Sequence, residues 1–151
     1  MTQAQAQERL EALLDRLAPL VSDTPEPEPE RMAVLWQQAQ AALQTGDGDK
    51  ALSTWGELVA MRPGEPSFQF GYAMALQALD QLAFAGRHYA YAYALDPTDA
   101  ATAFRLGECL AALGETLEAH DALLAAQQLC DLPHNPPHIR EMALRLMHKL
   151  Q

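Results

Sequence analysis

Three stretches of this chain decide its fold: ALSTWGELVAMRP at residues 51–63, AGRHYAYAYALDP at 85–97 and AHDALLAAQQLCD at 119–131. Each opens on alanine, and each opens 34 residues after the one before it. Pro63 and Pro97 close the first two, also 34 residues apart. A period of this length is the signature of a stack of helical hairpins, in which each unit buries its faces only against its neighbours.

Working outward, the register sets three repeats without gaps, at 32–65, 66–99 and 100–133. Position 8 is small in each: Ala39, Ala73, Gly107. Position 20 is Ala51, Ala85 and Ala119. These small residues let the two helices of one repeat approach closely. Position 24 is large, with Trp55, Tyr89 and Leu123, and is expected to fill the space between repeats. Positions 27 (Leu58, Ala92, Ala126) and 30 (Met61, Leu95, Leu129) complete the second helix. Position 15 carries Gly46, Asp80 and Gly114, residues suited to a left-handed turn that ends the first helix. Proline at position 32 stops the second helix. The third repeat has Asp131 there, and Pro133 follows two residues later.

The flanks supply the ends. Residues 1–31 hold an amphipathic helix at 6–18, with Leu10, Leu13, Leu14 and Leu17 on one face, and Pro19 is expected to end it. The stretch SDTPEPEPE at 22–30 reads as a stiff, acidic, extended linker. Residues 134–151 begin with Asn135, Pro136 and Pro137 and continue as a capping helix. Its apolar face is Ile139, Met142, Ala143, Leu146, Met147 and Leu150.

Composition agrees with an all-α chain. Its 151 residues include 28 Ala and 24 Leu but three Val and one Ile, which favours helix over strand. The apolar share of 49% is enough for a core. No apolar run approaches a membrane span, and MTQAQAQERL has neither the basic start nor the apolar centre of a secretory signal. The net charge of −10 disfavours nucleic acid and stable association with anionic membranes. Cys109 and Cys130 read as small hydrophobes in a reducing compartment, which makes the cytoplasm the expected location.

The pattern resembles the tetratricopeptide repeat and implies an α-solenoid of three repeats with a helix at each end. In that fold, positions 2, 5, 9, 12 and 13 line the concave face. Here they are Ala33, Trp36, Gln40, Leu43 and Gln44; Ser67, Phe70, Met74, Gln77 and Ala78; Ala101, Phe104, Glu108, Ala111 and Ala112. Position 5 is aromatic throughout: Trp36, Phe70, Phe104. These rings either line the groove as a series of apolar pockets or pack inward between helices. None of the fifteen positions is Lys or Arg, so a groove that grips a terminal carboxylate is not expected. In HYAYAYALDP, Tyr91 and Tyr93 lie off the face of Tyr89, and one or both should be partly exposed.

Two segments narrow the resemblance: FRLGECLAALGETLEA at 104–119 and HYAYAYALDP at 88–97. They are similar to stretches of the class II chaperones of bacterial type III secretion. The resemblance spans roughly residues 32–130. It implies a cytoplasmic chaperone that binds hydrophobic secreted translocator proteins and keeps them soluble. It also implies clients with a Pro-x-Leu-x-x-Pro type of segment, held extended in the concave groove. The residues expected to form that groove are Trp36, Gln40, Leu43, Gln44, Phe70, Met74, Gln77, Phe104 and Glu108, with the glutamines bonding the peptide backbone. A homodimer through the N-terminal helix is one way to cover its leucines. The alternative is a tetratricopeptide-repeat adaptor that holds soluble partners by its convex face or its ends.

Chemistry finds little footing. There is no Gly-rich phosphate loop, no Ser-His-Asp order and no CxxC pair. Cys130, His134 and His138 are four residues apart, but Pro136 and Pro137 break the helix that would align them on a metal. Glu108 beside Cys109 reads as a groove-edge carboxylate. No enzyme activity, metal or cofactor is expected.

Overall fold

A computed structural model describes residues 2–22 and 28–151. Among them are eight helices: α1 (Gln3–Ser22), α2 (Pro29–Thr45), α3 (Gly48–Met61), α4 (Pro66–Ala78), α5 (Leu82–Leu95), α6 (Ala100–Ala112), α7 (Thr116–Leu129) and α8 (His138–Lys149). The described residues form no strand. Helices α2/α3, α4/α5 and α6/α7 pair as hairpins, each hairpin packs on the next, and α8 closes the third. This is an α-solenoid of three tetratricopeptide repeats with a helix before and a helix after them.

One local device ends the first helix of every pair. Gly46, Asp80 and Gly114 take φ of 77°, 59° and 82°, and no other described residue has positive φ. After each, the chain closes on the same bonds. The amide N–H groups of Asp47, Gln81 and Glu115 donate to the carbonyls of Ala42, Leu76 and Leu110 at 3.0, 2.9 and 2.9 Å. Those of Gly46, Asp80 and Gly114 donate to Leu43, Gln77 and Ala111. These six bonds satisfy carbonyls that the helix end leaves without partners. Helix starts are fixed by Pro29 and Pro66 in the first turn and by the Asp47 and Asp99 carboxylates, which accept from the amides of Lys50 and Ala101.

The small and large positions do what the period requires. Ala39, Ala73, Ala51, Ala85 and Ala119 are fully buried at the helix crossings, and Gly107 is buried too. Trp55, Tyr89 and Leu123 are buried between helices. Burying side chains of this size stabilises the fold by about 1.5–3 kcal/mol each. Trp55 reaches across to the next hairpin: a Cβ on Gly71 of α4 would fall 2.3 Å from its ring. Only glycine lets α4 lie that close to the indole.

Helix α8 seals the open end with Ile139 and Ala143, both buried against Phe104, Leu123 and Ala126. Leu146, Met147 and Leu150 pack around them, while Met142 stays at the edge. Asn135 fixes the approach to this helix. Its buried Nδ2 donates to the carbonyls of Thr98 and Leu129, each at 2.8 Å, and its Oδ1 accepts from the amide of Ala100 at 3.1 Å. One side chain thus ties the start of α6, the end of α7 and the approach to α8.

The N-terminal helix departs from expectation. It runs through Pro19 to Ser22 rather than ending at residue 18. A proline removes one amide donor and bends a helix, yet the turns on either side keep their own bonds. The described side chains of α1 are all exposed, Leu10, Leu13, Leu14 and Leu17 included. Of the expected acidic linker, residues 23–27 lie outside the described residues. No described helix is long and apolar enough to cross a membrane.

Candidate peptide-binding groove

The first helices of the hairpins, α2, α4 and α6, leave a groove of about 540 Å³ between α2 and α4. Trp36, Gln40, Leu43 and Gln44 of α2 form one wall. Ser67, Phe70, Gly71 and Met74 of α4 form the other. Trp55 contributes from α3, and Glu65, Asp96 and Asp99 stand in the loops that lead into α4 and α6. A shallower hollow continues along Leu43, Met74, Gln77, Ala78 and Arg105.

The aromatic positions split. Trp36 is half-buried and meets Trp55 edge-on at 5.2 Å and Phe68 at 5.9 Å. Phe70 is half-buried and meets the Tyr89 ring at 5.5 Å. Both rings therefore have one side in the core and present the other to the groove. Phe104 does not. It is 6% exposed and sits with Leu123, Ile139 and Ala143, because α8 covers the end of the solenoid at its ring. The ladder has two rungs facing the groove, not three.

Gln77 and Glu108 are also bonded to their neighbours. The Tyr89 hydroxyl donates to Gln77 Oε1 at 2.7 Å, Gln77 Nε2 donates to Glu108 Oε1 at 2.6 Å, and Arg105 Nη1 donates to the same carboxylate oxygen at 3.0 Å. This chain of bonds joins α4, α5 and α6. It engages one N–H and the carbonyl oxygen of Gln77 and pairs the Arg105 charge with Glu108. Burial pushes the Tyr89 phenol up, which keeps it a donor. Gln40 and Gln44 are exposed and make no such internal bonds.

Sequence reasoning placed Trp55 in the core and overlooked the acidic mouth. Trp55 is 2% exposed, and its indole Nε1 is the one buried side-chain polar atom without a hydrogen-bond partner among the described residues. Glu65 and Asp99 both occupy position 34 and both stand at the N-cap of a groove helix. That shared register was the signal that could have found them.

The remaining candidates stay apart from chemistry. Cys109 is fully buried, and desolvation, followed by the nearby Glu108 charge, raises its thiol to about 11, far from a thiolate. His134 Nε2 lies 3.1 Å from the carbonyl of Thr98. No three His, Cys, Asp or Glu among the described residues are grouped to hold a metal ion. Tyr91 is exposed and Tyr93 half-buried.

No family model and no curated protein matches the chain. Solved structures do. The Yersinia enterocolitica type III secretion chaperone SycD, in complex with a peptide of the translocator YopD, superposes with a TM-score of 0.74 at 25% identity, over 83% of this chain and 96% of that one. A type III secretion complex from Aeromonas hydrophila gives 0.74 and 25%, over 95% of both chains. PcrH in complex with the chaperone-binding region of PopD gives 0.78 at 18% identity, over 84% and 96%, a likeness of fold. The chain's structural neighbours thus include the class II translocator chaperones of type III secretion, with which it shares the tetratricopeptide-repeat fold.

Proposed function

We propose that this chain is a cytoplasmic chaperone of a bacterial type III secretion system and not an enzyme. It holds an extended apolar segment of a hydrophobic translocator in the groove between α2 and α4. The repeats that build the groove divide at 32–65, 66–99 and 100–133. One observation carries the reading: an open, apolar-walled groove lies on the helices that face inward, in a fold shared at 25% identity with a chaperone solved with a translocator peptide. Trp36, Leu43, Phe70 and Met74 supply pockets for apolar side chains, and Gln40 and Gln44 are placed to bond a peptide backbone. An extended, proline-containing segment loses little entropy on docking, which suits a shallow apolar groove. The walls lack an unpaired cation, so a terminal carboxylate is a poor occupant.

Phe70→Glu is expected to abolish co-purification of the translocator while the helical melt persists. A variant that still carries its client moves the site out of the groove. A second reading has a specific observation behind it. Phe84, Tyr91 and Leu95 lie exposed along α5, away from the groove, and would serve an adaptor. Self-association through the leucine face of α1 is part of the proposal, since SycD has been solved as an alternative dimer.

A further inference from the structure

We propose that the groove selects a segment carrying a lysine or arginine beside its apolar anchors, and that Glu65, Asp96 and Asp99 receive that cation. The inference rests on the reading of the groove as the client site and adds the chemistry of the client.

Three carboxylates border the same apolar groove, and each is hydrogen-bonded only to neutral donors. Glu65 accepts from the Ser67 hydroxyl at 2.9 Å. Asp96 accepts from the amide and hydroxyl of Thr98 at 3.1 and 2.6 Å. Asp99 accepts from the amide of Ala101 and the hydroxyl of Thr102 at 3.1 and 2.8 Å. The ion pairs of Arg31 with Glu57, Arg105 with Glu108, Arg140 with Asp131 and Arg145 with Glu141 do not reach these three. The Thr98 donors hold the Asp96 carboxyl below its usual range, with His134 a weaker influence, and it stays ionised. The three do not converge as a metal-ligand cluster.

A purely apolar segment laid over this mouth would strip water from the carboxylates and return nothing, an unfavourable exchange. A cationic side chain reverses the sign. Trp55 also borders this groove, and its buried indole N–H has no hydrogen-bond partner. A peptide cation brings what the carboxylates lack, an opposite charge within the same groove. The flexible stem of lysine or arginine suits the join, since its methylenes lie on apolar wall while its head reaches the mouth.

The test is a positional scan. The parent probe is the N-acetylated, C-amidated peptide Gly-Ala-Pro-Ala-Leu-Ala-Ala-Pro-Ala-Gly, which carries no charge. Lysine or glutamine replaces each alanine and each terminal glycine in turn, and binding to the full chain is read by calorimetry. At one or two positions lysine is expected to bind about tenfold tighter than glutamine at low salt, a ratio that shrinks at about 0.5 M salt as screening shortens. In the triple variant Glu65→Gln, Asp96→Asn, Asp99→Asn that ratio falls to near one. These amides keep the acceptor oxygens for Ser67, Thr98 and Ala101, and a thermal melt checks the fold. Should the triple variant not fold, the positional and salt dependence of the native chain decides. An equal lysine gain at every position, terminal glycines included, means diffuse attraction to a chain of net charge −10 and overturns the inference. No gain anywhere, with the parent peptide still bound, overturns it and leaves the groove reading standing. No binding by any peptide overturns both.

Discussion

Asp80 holds φ at 59° in a turn whose counterparts in the other two repeats are glycines. Aspartate tolerates this region better than most residues, but still at a cost. Asp80→Gly should therefore raise the urea midpoint, by about 0.5–1 kcal/mol in stability. His88 gives a second residue-scale outcome. Its ring sits edge-on to Tyr72 at 4.7 Å and to Tyr91 at 5.4 Å, with Nδ1 2.8 Å from Gln69 Oε1. Burial, and then the Arg87 charge, lower its pKa from 6.5. The folded chain thus loses this proton at lower pH than the unfolded chain. Below 6.5 the unfolded state binds more protons, so the His88 contribution is full above that value and fades as pH falls through the window beneath it. Unfolding followed between about pH 7 and pH 5.5 should show this decline, and His88→Gln should flatten it.

Among elements, the hairpins and the large residues between them were legible, and the covering of Phe104 was not. Alanine at positions 8 and 20 and the turn residues at 15 announce two helices in close contact, because backbone approach and positive φ depend on residue size alone. Phe104 was ambiguous for a different reason. A ring at position 5 faces the groove unless something covers it, and what covers it is α8, whose seat depends on a loop rather than on the period. Asn135 is the fixed point of that loop. Asn135→Ala leaves the carbonyls of Thr98 and Leu129 and the amide of Ala100 without that partner. We expect a loss of about 1–3 kcal/mol, read by chemical denaturation, because the Ala100 N–H is left unsatisfied while the carbonyls of Thr98 and Leu129 keep His134 Nε2 and the Leu132 amide beside them. Exchange protection should fall first in α8. The Pro19 expectation failed because one missing amide does not halt a helix whose neighbouring turns remain intact.

At the scale of the molecule, the period specified a curved stack, and a curved stack has an inner face. Composition could not specify which inner residues stay available. Gln77 and Glu108 fit the pattern of groove residues but are bound to each other, while Trp55 fits the pattern of core and still borders the groove. The acidic mouth arises where loops from two repeats meet at one place, a juxtaposition that no single repeat displays. The central claim is that a translocator segment lies in this groove. The most direct measurement is photo-crosslinking in the native bacterium under secretion-inducing conditions. A benzoylphenylalanine replaces Gln44 on the groove wall or Phe84 on the outer face of α5; both sites are exposed, so neither replacement disturbs the core. Adducts to a hydrophobic secreted protein from position 44, and none from position 84, are the predicted result. Adducts from position 84 alone would contradict the account and assign the binding to the outer face.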